Sequence, residues 1–324
     1  MSRQSTTTVR GRATRLSDRW IYGVAPLVAL HMALVLTLRA RPGGVAPALW
    51  ILGPPVLLIA TILLLVLALE SAVRRRLAWS PRRLAGLAAL CALAGANVLY
   101  RTYPSSHDAT PSPVDLQLPL DGPITIAWGG RTRAVNYHVI SPPERWAYDL
   151  LMTVDGRSHR GDGHSLEEYY AYDRPVRAPA PGRVVAVSDG HADARPGRPE
   201  PVRRGGNTIV LEIAPGHYLV MAHLRAGSIR IQAGERVQEG DLVARVGNSG
   251  NSSEPHLHLH LQDSPQPDAG EGIPFYFSRY VVPSTGERVA RGMPQGGMRG
   301  GRYVGDVIQR EADAPGRDLP RTGR

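Results

Sequence analysis

The sequence predicts an all-β soluble domain built on an antiparallel sheet and preceded by an α-helical membrane anchor. Three observations predict it. Long apolar runs crowd residues 20–100. Short apolar segments between Gly/Pro turns fill residues 120–286, with few helical stretches. The basic excess lies beside the long runs and not on the β-patterned part.

The chain has 324 residues and a formal net charge of +10, a length that suits about two domains. Such a charge usually directs attention to nucleic acid. Its distribution removes that reading. Residues 1–100 hold 12 Arg against Asp18 and Glu70, whereas residues 101–324 hold 26 Arg and 26 acidic side chains. Every basic side chain is Arg; Lys is absent. The excess therefore belongs to the apolar third, where membrane topology accounts for it, and no nucleic-acid partner is expected. Cys91 is the only cysteine, so no intramolecular disulfide is available. The β domain must be held by its own core, alone or with a metal.

Residues 1–19 form a basic tail and residues 20–100 an anchor of three spans. Trp20–Leu38 is apolar apart from His31 and a few small residues. As a helix it reaches about 28 Å, close to the hydrocarbon thickness of a bilayer. Ala46–Leu69 is the second run, and its Gly53-Pro54-Pro55 predicts a kink or a late helix start. Leu84–Tyr100 is the third, shorter and rich in Ala and Gly. The tail carries Arg3, Arg10, Arg12, Arg15 and Arg19, and the second loop Arg74, Arg75, Arg76, Arg82 and Arg83. The first loop has only Arg39 and Arg41. The positive-inside rule places the tail and second loop in the cytoplasm. Three crossings then put the C-terminal domain outside the cytoplasmic membrane, on the periplasmic or cell-wall side.

Residues 101–119 read as a Pro/Ser/Asp-rich linker and residues 287–324 as a disordered Gly/Arg/Pro-rich tail. Between them lie short strand-like segments, among them Arg183–Ser188, Thr208–Ile213, His217–His223, Leu242–Val246 and Leu257–Leu261.

The sharpest feature is Pro255-His256-Leu257-His258-Leu259-His260. Residues two apart on a strand share a face, so the three imidazoles line one side. Neutral imidazole is a common ligand for zinc-like metals. A single His on an apolar strand is usually structural; three in alternation after a polar turn point to a metal or catalytic site.

The segment GNSGNSSEPHLHLHLQ (247–262) resembles the G-N-(S/T)-G…P-H-L-H signature of the M23 (LytM/lysostaphin-type) zinc metallopeptidases. MAHL (221–224) resembles that family's Ala-His-Leu strand, and YDRPVRAPAPGRVVAVSDG (172–190) its P-V-x-A-P-x-x-G-x-V segment. GERVQEGDLVARVG (234–247) resembles the turn and strand before the signature, and the likeness spans about residues 135–265 in consistent order. It implies a lysostaphin-like, duplicated β motif around one Zn2+ per chain. It also implies that His258 and Asp149 ligate the metal, and that His256 and His223 are the catalytic imidazoles. The implied substrate is peptidoglycan, cleaved at amide bonds in its stem peptides or cross-bridges.

The chain departs from the pattern at one place. Four residues before Asp149, where H-x-x-x-D has its first His, stands Arg145, which stays protonated and cannot ligate. The nearest upstream candidate is His138, in a stretch that resembles a longer N-Y-H…R-x-A-x-D arrangement of some relatives. With His138, Asp149 and His258 the three ligands of a catalytic zinc are complete. Without His138 the chain reads as a degenerate LytM-like module that binds cell wall or activates another hydrolase. His260 stands where the family usually has an acidic or polar residue; it either supports the metal site from behind or merely shares the face of the other two, and the second is the favoured reading. His159 and His164 read as loop residues, and His107, His191 and His217 as surface residues. A lipoyl- or biotinyl-type carrier needs a modifiable Lys, which is absent; a phosphotransferase-type His carrier needs a cytoplasmic domain. The sequence identifies no regulatory partner.

Overall fold

The computed structural model describes residues 19–40, 43–75, 80–96 and 102–314. The chain divides into two compact units, Met1–Pro104 and Ser105–Arg324.

The first unit holds helices α1 (Ile21–Ala40), α2 (Ala46–Arg75) and α3 (Pro81–Ala96). Leu27, Leu34 and Leu38 recur at helical spacing along α1 and pack in one cluster with Leu57 of α2 and Leu90 of α3. A Cβ on Gly53 would meet Leu34 Cδ2 at 2.8 Å, so glycine there lets α1 and α2 approach. α2 runs unbroken through Pro54 and Pro55, where the sequence predicts a kink or a late start. Only α1 and α2 among the described residues are long and apolar enough to cross a bilayer. α3 has 16 residues, about 24 Å of helix against a hydrocarbon layer of about 30 Å. The last part of the expected third span, residues 97–100, lies outside the described residues, as do residues 1–18 of the basic tail.

The second unit is a mostly antiparallel β domain. Its strands begin with β1 (Ile124–Trp128), β2 (Tyr148–Leu151), β3 (Pro175–Arg177), β4 (Gly182–Ser188) and β5 (Asn207–Ala214). They continue with β6 (His217–Leu224), β7 (Arg236–Val237), β8 (Leu242–Arg245), β9 (Leu257–Gln262) and β10 (Phe277–Val282). The last are β11 (Glu287–Gly292), β12 (Met298–Arg299), β13 (Arg302–Tyr303) and β14 (Val307–Arg310). Ten of them form one sheet in the order β11-β10-β14-β1-β2-β9-β6-β5-β4-β7, and β3–β8 and β12–β13 form two small pairs.

Alternation assigns the two faces of the sheet. Leu257, Leu259 and Leu261 of β9 are fully buried in the core with Leu150 of β2, Leu219 and Met221 of β6, and Ile126 of β1. Burial of each such side chain contributes about 1.5–3 kcal/mol. The intervening residues of β9, His258, His260 and Gln262, are carried on the opposite face.

Two boundary expectations are corrected. Residues 105–119 are not a free linker. Leu116 and Leu118 are buried in the core, and the Leu116 backbone bonds to Tyr276 and Ser278. Nor are residues 287–314 a disordered tail. They supply β11 to β14, and β14 enters the sheet between β10 and β1, with Ile308 paired to Ile124. Ile308 is 1 % exposed. Residues 315–324 lie outside the described residues. Ile308→Ala is therefore expected to cost about 2–5 kcal/mol of stability, read as a lower urea midpoint by tryptophan fluorescence. An unchanged midpoint would return the segment to a dispensable tail.

Candidate metal centre

The centre is built where β2, β6 and β9 lie side by side. Antiparallel register sets Asp149 of β2 opposite His258 of β9, and His258 opposite Ala222 of β6. Directly opposed residues share a face, so Asp149 and His258 meet by register alone. The His258 Nδ1 to Asp149 Oδ1 distance is 2.8 Å.

His223 should point away from this face, because it follows Ala222. It does not, because its backbone has φ of +61°, a left-handed conformation costly for a residue with a Cβ. The strand slips phase there: Leu219 and Met221 face the core, and so does Leu224. The amide of His223 donates to the Gly205 carbonyl and its carbonyl accepts from Gly247, which hold the slip in place. Gly206 and Gly250 close the same corner, since a Cβ on Gly250 would lie 2.4 Å from the Gly206 nitrogen. As a result the His223 ring sits 4.8 Å from His256 and 5.8 Å from His258, centroid to centroid.

His138 arrives on a short 3-10 helix, Tyr137–Ile140. The Asn136 side chain caps it, accepting from the His138 amide and donating to the carbonyls of Gly130 and Ala147. His138 Nε2 then lies 2.9 Å from Asp149 Oδ2. Arg145 stands apart from this set: its guanidinium lies over the Trp146 ring at 4.2 Å and 3.6 Å from Asp108.

Donor atoms of His138, Asp149 and His258 all fall within 4.8 Å of one another, and so do those of His223, His256 and His258. Ligand atoms around a tetrahedral zinc at about 2.0–2.1 Å are about 3.3 Å apart. Two imidazoles and a carboxylate at this spacing fit a divalent metal in size and donor chemistry. Asp149 is the shared neighbour, with one oxygen toward each of His138 and His258, so those three form the better ligand set.

The remaining two imidazoles have their tautomers assigned by what they touch. His223 Nδ1 lies 2.8 Å from the Ser249 carbonyl and His256 Nδ1 2.8 Å from the Glu254 carbonyl. A carbonyl only accepts, so each Nδ1 carries a proton and each ring turns Nε2 toward the centre. His256 Nε2 is 3.5 Å from Asp149 Oδ1.

Electrostatics separates the groups. Burial pushes His223 down to about 3, assisted by the nearby rings of His256 and His258. Burial also opposes protonation of His256, but Asp149 outweighs it and raises the ring above its ordinary value. For His138, burial is again outweighed, by the Asp149 and Glu144 carboxylates, which raise it to about 10. Asp149 and Glu144 are held well below the carboxylate range despite burial, chiefly by the imidazoles beside them.

Sequence reasoning missed Glu144. Its carboxylate lies 3.7 Å from His138 Nδ1 and 3.6 Å from Arg204. No spacing marks it, because it comes from an irregular loop. The reading of His260 as merely sharing the face is corrected: His260 Nδ1 lies 3.0 Å from His258 Nε2. A cleft of about 370 Å³ opens over His138, His223 and His258, with Arg203, Arg204 and Asn251 on its wall. His159 and His164 border a different cleft, beside Glu254 and Tyr303. His107, expected at the surface, is part-buried and pairs with Asp263 at 3.1 Å.

Residues 164–268 match the model of peptidase family M23, so the chain carries an M23 domain. His223, His256 and His258 fall inside the matched span; His138 and Asp149 precede it. The endolysin of Staphylococcus phage 2638A is 37% identical over 62 residues, which are 19% of this chain and 13% of that protein. The chain thus spans only a small part of that relative. The catalytic domain of the prophage-encoded M23 protein EnpA of Enterococcus faecalis aligns with 18% identity and a TM-score of 0.32. That alignment covers 49% of this chain and 94% of the EnpA domain. The catalytic domain of lysostaphin from Staphylococcus simulans aligns with 19% identity over 46% of this chain and 86% of its own, TM-score 0.28.

Proposed function

We propose that this protein is a membrane-anchored, zinc-dependent endopeptidase that cleaves amide bonds in peptidoglycan stem peptides or cross-bridges. The observation that carries the reading is the convergence of His138 and His258 on the two oxygens of Asp149, with two further imidazoles presenting Nε2 to the same point. His138 supplies the ligand that Arg145 cannot, which favours a catalytic domain over a degenerate one.

His138 Nε2, an Asp149 oxygen and His258 Nδ1 would hold one zinc ion, which when bound supplies Lewis acidity toward water and a peptide carbonyl. The protein's own groups manage the protons. His223, neutral because burial lowers it, offers Nε2 to receive a proton from attacking water. His256, held more basic by Asp149, offers an Nε2–H to the oxyanion that forms as water adds. Environments that push two imidazoles in opposite directions divide the acid and base roles between them.

The anchor reading rests on the apolar lengths of α1 and α2 and on the Arg asymmetry of their flanks. An external domain needs α3 to cross as the third span. Two crossings would leave the domain on the same side as the basic tail. Protease added to intact spheroplasts distinguishes the two, since only an external domain is digested.

The activity test is incubation of the detergent-solubilised full chain with purified peptidoglycan, with and without chelator, followed by mass analysis of the fragments. New amino termini that vanish with chelator are expected. Intact muropeptides from zinc-loaded protein would favour the non-catalytic module. The raised His138 adds a second check. It carries a proton at pH 7.5 that must leave before Nε2 can bind metal. Zinc binding is expected to release about one proton from His138 on this account, measured by calorimetry in buffers of different ionisation enthalpy. Release near zero would contradict ligation by His138.

A further inference from the structure

The polar face of β9 continues past the three histidines. His256, His258, His260 and Gln262 follow one another at strand spacing, and the last three are 4%, 2% and 0% exposed. Such buried polar groups need partners, and those of His258, His260 and Gln262 form a chain. Gln262 Nε2 donates to two carbonyls, those of Ser264 at 2.7 Å and Gln266 at 2.6 Å. Both partners can only accept, so the amide has one orientation and its Oε1 faces the strand. That oxygen lies 3.0 Å from His260 Nε2, which must therefore carry the proton. In the neutral ring, His260 Nδ1 is then a lone pair, and it lies 3.0 Å from His258 Nε2. His258 in turn must place its proton on Nε2 and turn the lone pair of Nδ1 toward Asp149.

We infer that His260 and Gln262 are positioning residues that fix the ring orientation and tautomer of His258, so that Nδ1 is offered to a cation. This rests on the zinc-site reading above. Each step follows from a donor that has only acceptors to meet, and the chain is anchored on backbone carbonyls that cannot reverse it. One consequence is local: the lone pair of His258 Nδ1 and the Asp149 carboxylate face each other at 2.8 Å. Two acceptors this close repel one another until a cation is shared between them. The relay thus leaves the His258 Nδ1 lone pair and an Asp149 oxygen side by side, two donors of the kind a zinc ion takes.

The test measures zinc affinity of the full chain in detergent, by competition with a chromophoric chelator. Loss of such an outer partner weakens metal binding about 10- to 100-fold, and that loss is expected for His260→Leu. His260→Asn should recover most of it, because its Oδ1 stands two bonds from Cβ, as Nδ1 does in histidine, and still accepts from His258. A purely space-filling role predicts the opposite order, since Leu replaces the buried volume better. Gln262→Met leaves His260 free to adopt either tautomer and should fall between wild type and His260→Leu. If His260→Leu does not fold, Gln262→Met alone decides: weaker binding supports the relay, and wild-type binding overturns it. In the metal-free protein at alkaline pH, 15N imidazole spectra should show His258 protonated on Nε2, and as a mixture in Gln262→Met. Wild-type affinity in His260→Leu would overturn the inference while leaving the ligand set intact. Equal zinc binding by wild type and His258→Ala would overturn the ligand set itself.

Discussion

His138→Ala and His258→Ala should each purify without zinc, whereas Arg145→Ala should retain one zinc per chain. The arithmetic is of ligands. A catalytic zinc is held by three protein groups, and Asp149 has one oxygen toward each imidazole. Removing either imidazole leaves two groups, too few to hold the ion against a chelator. It also takes one partner from Asp149, 3% exposed, with His256 at 3.5 Å and the Tyr137 hydroxyl at 3.3 Å remaining, and loss of one partner of a buried charge costs up to roughly 3–5 kcal/mol. Both variants should therefore also unfold at lower temperature than wild type when each is stripped of metal. Arg145 contacts Asp108 and Trp146 instead, so its replacement leaves the ligands in place. Elemental analysis of the three purified variants settles the matter; zinc retained in full by His138→Ala would mean that another group is the first ligand.

The second large effect separates chemistry from binding. His223→Ala and His256→Ala should keep zinc and lose about 10²–10⁴-fold in turnover, the usual worth of a positioned acid or base. Neither ring is one of the three proposed ligands, although His256 Nε2 lies 3.5 Å from Asp149 Oδ1, and each is tied by Nδ1–H to a backbone carbonyl that orients it. Loss of metal in either variant would transfer that residue from proton transfer to ligation. The His223→Ala variant keeps a Cβ at φ of +61°, so the backbone strain remains, while the buried ring and its bond to the Ser249 carbonyl are lost; a lower melting temperature is expected, and an unchanged one would show that the ring adds nothing to stability.

Much of this site is readable from the sequence because it obeys strand periodicity. The alternation of His256, His258 and His260 with Leu257, Leu259 and Leu261 assigns a polar and an apolar face, and the structure has both. Gln262 continues the same alternation and was open to the same reading. His223 was less accessible to such logic, because a strict alternation would turn it away; only the left-handed backbone brings it round. Glu144 carries no periodic signal at all. Its place beside His138 depends on the path of the loop between the Tyr137–Ile140 turn and β2.

The terminal segments misled for a physical reason. β11 to β13 are mostly exposed and rich in Arg and Gly, so their composition resembles that of a solvated tail. Their order comes from pairing, which depends on backbone groups rather than on apolar side chains. Only a few residues, Ile308 among them, reach the core. The segment before β1 misled in the same way: its Pro and Ser residues mark turns, but Leu116 and Leu118 between them are core residues. In the helical unit, prolines at positions 54 and 55 did not end α2.

X-ray absorption at the zinc edge of the purified full chain tests the central claim most directly. Two imidazole nitrogens and carboxylate oxygen at about 2.0–2.1 Å, with one zinc per chain, are the expected result. A first sphere with three or more imidazoles, or zinc scattered over several weak sites, would contradict the centre described for His138, Asp149 and His258.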